Sequence, residues 1–158
     1  MSTAVRPRQP YLSQAEVGAW RGLLRAHSLL VKALDSELEK SHGLALSSFE
    51  VLVRLGQADG GRMRMCDLAD SVLLSRSGLT RMVDRLARDG LVVRGICEHD
   101  ARGAFAVITQ AGQAVLGAAR EAYLGGVRRH FLGSFTAPEL ATLGGFWDRL
   151  LENLTRSD

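Results

Sequence analysis

Cysteine and lysine are both scarce in this 158-residue sequence, which has only two of each: Cys66 and Cys97, and Lys32 and Lys40. Two cysteines are too few for a disulfide framework, and a reducing cytosol would keep them as thiols. Long apolar runs are missing as well. None approaches the roughly 20 residues needed to cross a bilayer, so no membrane partner is expected. Met1 to Pro10 carries Arg6, Pro7, Arg8 and Pro10 around no apolar centre. This does not read as a secretory signal, and a cytoplasmic address is expected. Catalytic signatures are missing too. There is no phosphate-binding loop, dinucleotide fingerprint, His-Glu-x-x-His or Gly-x-Ser-x-Gly, so nothing points to an enzyme and no cofactor is expected.

What is there is an ordinary globular composition, 46% apolar and 23% charged, long enough for one domain with or without an oligomerisation element. The net charge of +3 permits nucleic-acid binding without demanding it. Lysine's scarcity makes arginine the main base. Its planar fork suits phosphate and guanine, although the bias taken alone reads as GC-rich coding.

Residues 1–12 read as a frayed arm. Ser13-Gln14-Ala15-Glu16 is a capping box. Behind it Trp20, Leu23, Leu24, His27, Leu30, Val31, Leu34 and Leu38 recur at helical spacing as far as about Ser41. A second box, Ser47-Ser48-Phe49-Glu50, predicts a helix that ends at Asp59-Gly60-Gly61. A short helix from about Met65 to Val72 follows, poorly capped by Arg64. Ser75 caps the next helix, which runs to Asp89 with Leu79, Met82, Val83 and Leu86 on one stripe.

Periodicity then changes. Leu91 to Cys97 and Ala104 to Thr109 are rich in β formers, and the polar stretch Glu98-His99-Asp100-Ala101-Arg102-Gly103 lies between them. This predicts a hairpin with an exposed tip. Helical spacing returns from Gln110 to about Leu132. A third capping box, Thr136-Ala137-Pro138-Glu139, opens a last helix with Leu140, Leu143, Phe146, Trp147, Leu150, Leu151 and Leu154.

The order of these elements is mostly α with a small β-hairpin wing: a winged helix-turn-helix plus a dimerisation bundle of terminal helices. The expected division is an arm over 1–12, a dimerisation helix over 13–46, the DNA-binding winged domain over 47–109 and further dimerisation helices over 110–158. The helix after Ser75 buries one stripe and shows Arg76, Ser77, Thr80 and Arg81 near its N-terminal half, the end that meets base edges in helix-turn-helix docking. Arg85, a turn later, is expected on phosphate, and Arg62 and Arg64 at the edge of the site. A solvated outer face is the bland alternative; the hairpin that follows favours the groove-reading role.

Asp67-Leu68-Ala69, the stretch from Ser75 to Leu86, Gly90-Leu91-Val92, Asp100-Ala101-Arg102 and Val107-Ile108-Thr109-Gln110-Ala111-Gly112 together resemble the MarR family of regulators. The resemblance runs from about Leu23 to Leu154. It implies a homodimer built from the first and the last two helices, and a pseudo-palindromic double-stranded DNA operator, usually under repression. It also implies release by a small aromatic or phenolic effector in a crevice between the dimerisation and DNA-binding parts. By position, Arg102 would enter the minor groove from the wing and Asp100 would support the wing. Leu73 stands where the family often has glycine, and Arg64 where a capping Ser or Thr is common.

Independent of that resemblance, the terminal helices carry more apolar surface than a winged domain of roughly 60 residues can cover. A two-fold partner matches a two-fold operator. Trp20 and His27 are placed either on an effector crevice or in the dimer interface. Cys66 and Cys97 are open as redox sensors or as packing residues. Cys97-Glu98-His99-Asp100 falls short of the four well-placed ligands zinc needs, and no metal is expected. Two alternatives stand beside the ligand-responsive repressor: a thiol- or metal-sensing regulator of the same fold, and a winged-helix interaction module without DNA binding.

Overall fold

The computed structural model describes residues 11–72, 74–97 and 100–156. Helices α1 (Gln14–His42) and α2 (Leu46–Gln57) are followed by strand β1 (Arg62–Arg64) and helices α3 (Met65–Ser71) and α4 (Arg76–Arg88). Strands β2 (Val92–Cys97) and β3 (Asp100–Ile108) form the hairpin, and α5 (Gln110–His130) and α6 (Ala137–Thr155) close the chain. The sheet is antiparallel with order β1-β3-β2. Among the described residues no helix is long and apolar enough to cross a membrane.

Local chemistry explains most boundaries. The Glu16 carboxylate accepts from the Ser13 amide and hydroxyl, both at 2.8 Å, and α1 stops where Gly43 turns left-handed at φ 60°. Glu139 does the same for Thr136 at the start of α6, at 2.7 Å and 2.8 Å. Ser75 accepts from the Gly78 amide at 3.1 Å and so opens α4. At the start of α5 the Thr109 hydroxyl donates to the Gly90 carbonyl at 2.7 Å and accepts from the Gly112 amide at 3.0 Å. Gly112 lies so near the Leu91 carbonyl that any Cβ there would collide with it. The Thr-x-x-Gly spacing therefore docks α5 against Leu91, the residue that leads into β2.

The core lies under the winged region. Leu52, Leu55, Leu68, Leu79, Val83 and Leu86 are almost fully buried, with Val92, Ala106 and Ile108 from the sheet above them. From α1 only Leu38 joins them. α5 packs along α1 and also reaches α2.

The structure corrects several expectations. The box at Ser47–Glu50 does not cap α2. The helix begins two residues earlier, after Ala45, and the Asp35 carboxylate of α1 accepts from the Leu46 amide at 2.8 Å. β1 was not foreseen, because three residues carry too little periodicity and their pairing comes only from β3. The hairpin pairs further than the polar tip suggested. β3 starts at Asp100, opposite Cys97, after a register shift between Ile96 and Cys97. Leu73 and the tip residues 98 and 99 lie outside the described residues.

Candidate nucleic-acid interface

The N-terminal half of α4 faces outward. Arg76, Ser77 and Arg81 are exposed, and among the described residues no ion pair holds either arginine. Thr80 is half-buried, and its hydroxyl donates to the Arg76 carbonyl at 2.9 Å. Ser75 is occupied in capping, with Ser77 Oγ at 3.4 Å. The opposite side of α4 is the buried stripe of Leu79, Val83 and Leu86. An outward face with two uncommitted guanidinium forks is chemically suited to phosphates and to the O6 and N7 of guanine.

The acidic residue within this face does not oppose it. Asp84 is paired with Arg94 of β2 at 2.6 Å, which ties α4 to the hairpin. Arg85 is exposed as well but is not uncommitted: its Nη2 donates to Ser48 Oγ of α2 at 2.8 Å. Sequence reading had not singled out Ser48 or Arg94. For Arg94 the available signal was an arginine on the strand that follows α4; for Ser48, 37 residues away in sequence, there was none.

Arg62 and Arg64 are both exposed on β1. The Arg62 guanidinium lies over the Phe105 ring, 4.9 Å from its centroid. Gly95 pairs with Phe105 across the hairpin, where any Cβ would strike the ring, so the glycine lets the aromatic lie across the sheet. The backbones of Cys97, Asp100 and Arg102 belong to β2 and β3; their side chains lie outside the described residues. Cys66 is exposed and shares a hollow of about 230 Å³ with Arg76, Thr80 and Arg94.

A second hollow, about 280 Å³, opens where α2, α3 and α5 meet. Phe49, Glu50, Val53, Arg54, Gln57, Ser71, Val72 and Tyr123 line it. The Phe49 and Tyr123 ring centroids lie 4.8 Å apart, the rings tilted by 36°. Partial desolvation against this wall pushes the Glu50 carboxyl above its usual range, while the charges of Arg54 and His27 pull it back. Trp20 and His27 both lie exposed on α1 and do not line the hollow, although His27 is near enough to act on Glu50. Among the described residues no cluster of His, Cys, Asp or Glu could hold a metal ion.

Residues 44–103 match the family model for the MarR family. The chain is 34% identical to AbsC, a MarR family transcriptional regulator from Streptomyces coelicolor, covering 94% of this chain and 99% of that one with a TM-score of 0.86. Sco3205, a MarR family regulator of the same organism solved in complex with DNA, is 31% identical over 91% of this chain and 94% of its own, also with a TM-score of 0.86. A mutant MarR from E. coli, complexed with operator DNA, shares the fold with a TM-score of 0.77 at 22% identity, covering 89% of this chain and 99% of its own. No match was found among curated proteins.

Proposed function

Since this chain belongs to the MarR family of DNA-binding transcriptional regulators, which are not enzymes, we propose that it is a cytoplasmic, homodimeric repressor that leaves a pseudo-palindromic operator when a small effector binds. The observation that carries the reading is the outward face of α4, with Arg76 and Arg81 uncommitted beside Ser77 and Thr80. In helix-turn-helix docking these residues meet base edges in the major groove. Ser75, Arg62 and Arg64 take phosphates at the margins. By family resemblance Arg102 enters the minor groove and Asp100 supports the wing. In this reading 47–109 form the DNA-binding domain, while 13–46 and 110–158 form the dimerisation part.

A second copy of the chain is the simplest cover for the terminal helices. Trp20, Leu24 and Val31 of α1 and Phe146, Leu151 and Leu154 of α6 are all left exposed by the single chain. Burying them against a twin removes that apolar surface from water and sets two recognition helices on one two-fold axis.

The hollow at the α2, α3 and α5 junction is the effector site of this reading. It joins a helix of the dimerisation part to two of the DNA-binding part, and its Phe49 and Tyr123 rings suit a small aromatic or phenolic ligand. His27 acts on Glu50 of the hollow without lining it, and Trp20 belongs to the dimer interface. One observation favours a second trigger. Cys66 sits in the same hollow as Arg76 and Thr80, so oxidation there would place new bulk and charge beside the recognition helix. An oxidant response unchanged in Cys66→Ser removes that reading.

Selection from a random pool of double-stranded DNA tests the proposal. The expected product is an inverted repeat with half-sites about one helical turn apart. Retention without any enriched motif, lost at moderate salt, would instead favour an interaction module.

A further inference from the structure

We infer that Arg85 is a positioning residue that sets the recognition helix through Ser48, and is not a phosphate contact. The inference rests on the DNA-binding reading of α4. Ser48 stands in the first turn of α2 and is only 3% exposed, and the one bond its hydroxyl makes among the described residues is to Arg85. A buried hydroxyl with one partner is costly to orphan, so the contact has a defined geometry. The neighbouring residue, Asp84, is bonded to Arg94 of β2 at 2.6 Å. Successive helical residues point about 100° apart. The two bonds therefore tie α4 to two different elements, α2 on one side and the wing on the other.

Two ties in different directions fix the roll of α4 about its own axis, which the apolar stripe alone leaves softer. That roll decides where Arg76, Ser77, Thr80 and Arg81 present their donors. Arg85 thus acts on base reading through α2, and its effect falls on selectivity more than on bulk charge attraction.

Ser48→Ala is the cleanest probe, because it removes the partner and leaves the arginine charge in place. Wild type, Ser48→Ala, Arg85→Ala and the double variant are titrated by fluorescence anisotropy, on the selected operator and on a scrambled duplex, at several salt concentrations. Each single variant is expected to lower the ratio of operator to scrambled affinity by about fivefold, and the double variant by no more than either single. The slope of log affinity against log salt is expected to stay near that of wild type in Ser48→Ala. In Arg85→Ala it should change by well under the roughly 0.9 that a lost phosphate contact produces. A Ser48→Ala protein as selective as wild type overturns the inference, and so does a full phosphate-sized fall in slope for Arg85→Ala. If wild type itself prefers no sequence, the reading of α4 fails first, and the inference falls with it.

Discussion

The winged region and the terminal helices use the same apolar spacing and reach opposite ends. In α2, the residues Phe49, Val51, Leu52 and Leu55 are sealed within the single chain. By contrast α1, with 29 residues, buries only Leu38, and α6, with 19, buries none. The difference lies in the neighbours. α2, α3 and α4 are folded back on one another by short turns under a sheet, so each stripe meets another. Among the described residues α6 has no extensive contact with any other element. Periodicity announces that a face is apolar; only the surrounding chain, or a second one, determines whether that face is dry.

That contrast can be broken in several ways. Leu52→Ala, at a fully buried position, should cost about 2–5 kcal/mol in urea unfolding, independent of protein concentration. Leu151→Ala, at a position 58% exposed, should act only through association and so shift Tm in a concentration-dependent way. Matching, concentration-independent losses at both positions would erase the distinction.

Charge on α6 should be next in size. Leu151→Glu is expected to weaken dimerisation by about 3 kcal/mol, yielding monomers in light scattering with helix content retained. On the DNA face, Arg81→Ala should lose about 1–3 kcal/mol of discrimination and relax preference at one base pair. Arg102→Ala should weaken binding to all sequences and lower the salt slope by about one. Equal wild-type affinity for operator and random DNA would defeat the first expectation, and an unchanged salt slope in Arg102→Ala the second.

The smallest effect concerns the join between α1 and α5. His130 Nε2 and Arg129 Nη2 each lie 2.7 Å from the Glu37 carboxylate, and these bonds, His130's first, hold its carboxyl below the usual range. A lowered carboxyl gives stability that is fully present above the ordinary glutamate value and is lost as pH falls through the lowered one. The Tm advantage of wild type over Glu37→Gln should therefore be small near neutrality and vanish in acid. An advantage that grows as pH falls would contradict the assignment. Because the pair is solvent-accessible, salt should reduce it as well.

Legibility in the sequence followed the range of the interaction. The boxes at Ser13 and Thr136, the Ser75 cap and the buried stripe of α4 all depend on neighbours within one or two turns, and they could be read directly. The start of α2 could not, because its cap comes from Asp35, eleven residues back on another helix. β1 is defined only by pairing with a strand more than forty residues later. The outward set Arg76, Ser77, Thr80 and Arg81 was visible from helical spacing, whereas the partner of Arg85 was not: a buried serine leaves no mark distinct from a capping one. The apolar stripe of α1 was equally visible, and so was the excess of apolar surface on the terminal helices; which residues the single chain leaves exposed, Trp20, Leu24 and Val31 among them, was not.

In the proposed reading a second copy completes the terminal helices and thereby pairs two recognition helices. Sedimentation equilibrium of the purified protein, alone and on its selected operator, tests this most directly. Expected is a mass twice that of the 17.1 kDa chain for the free protein, and that mass plus one duplex for the complex with the inverted repeat. A single-chain mass at micromolar concentration, with one chain on each operator, would contradict it.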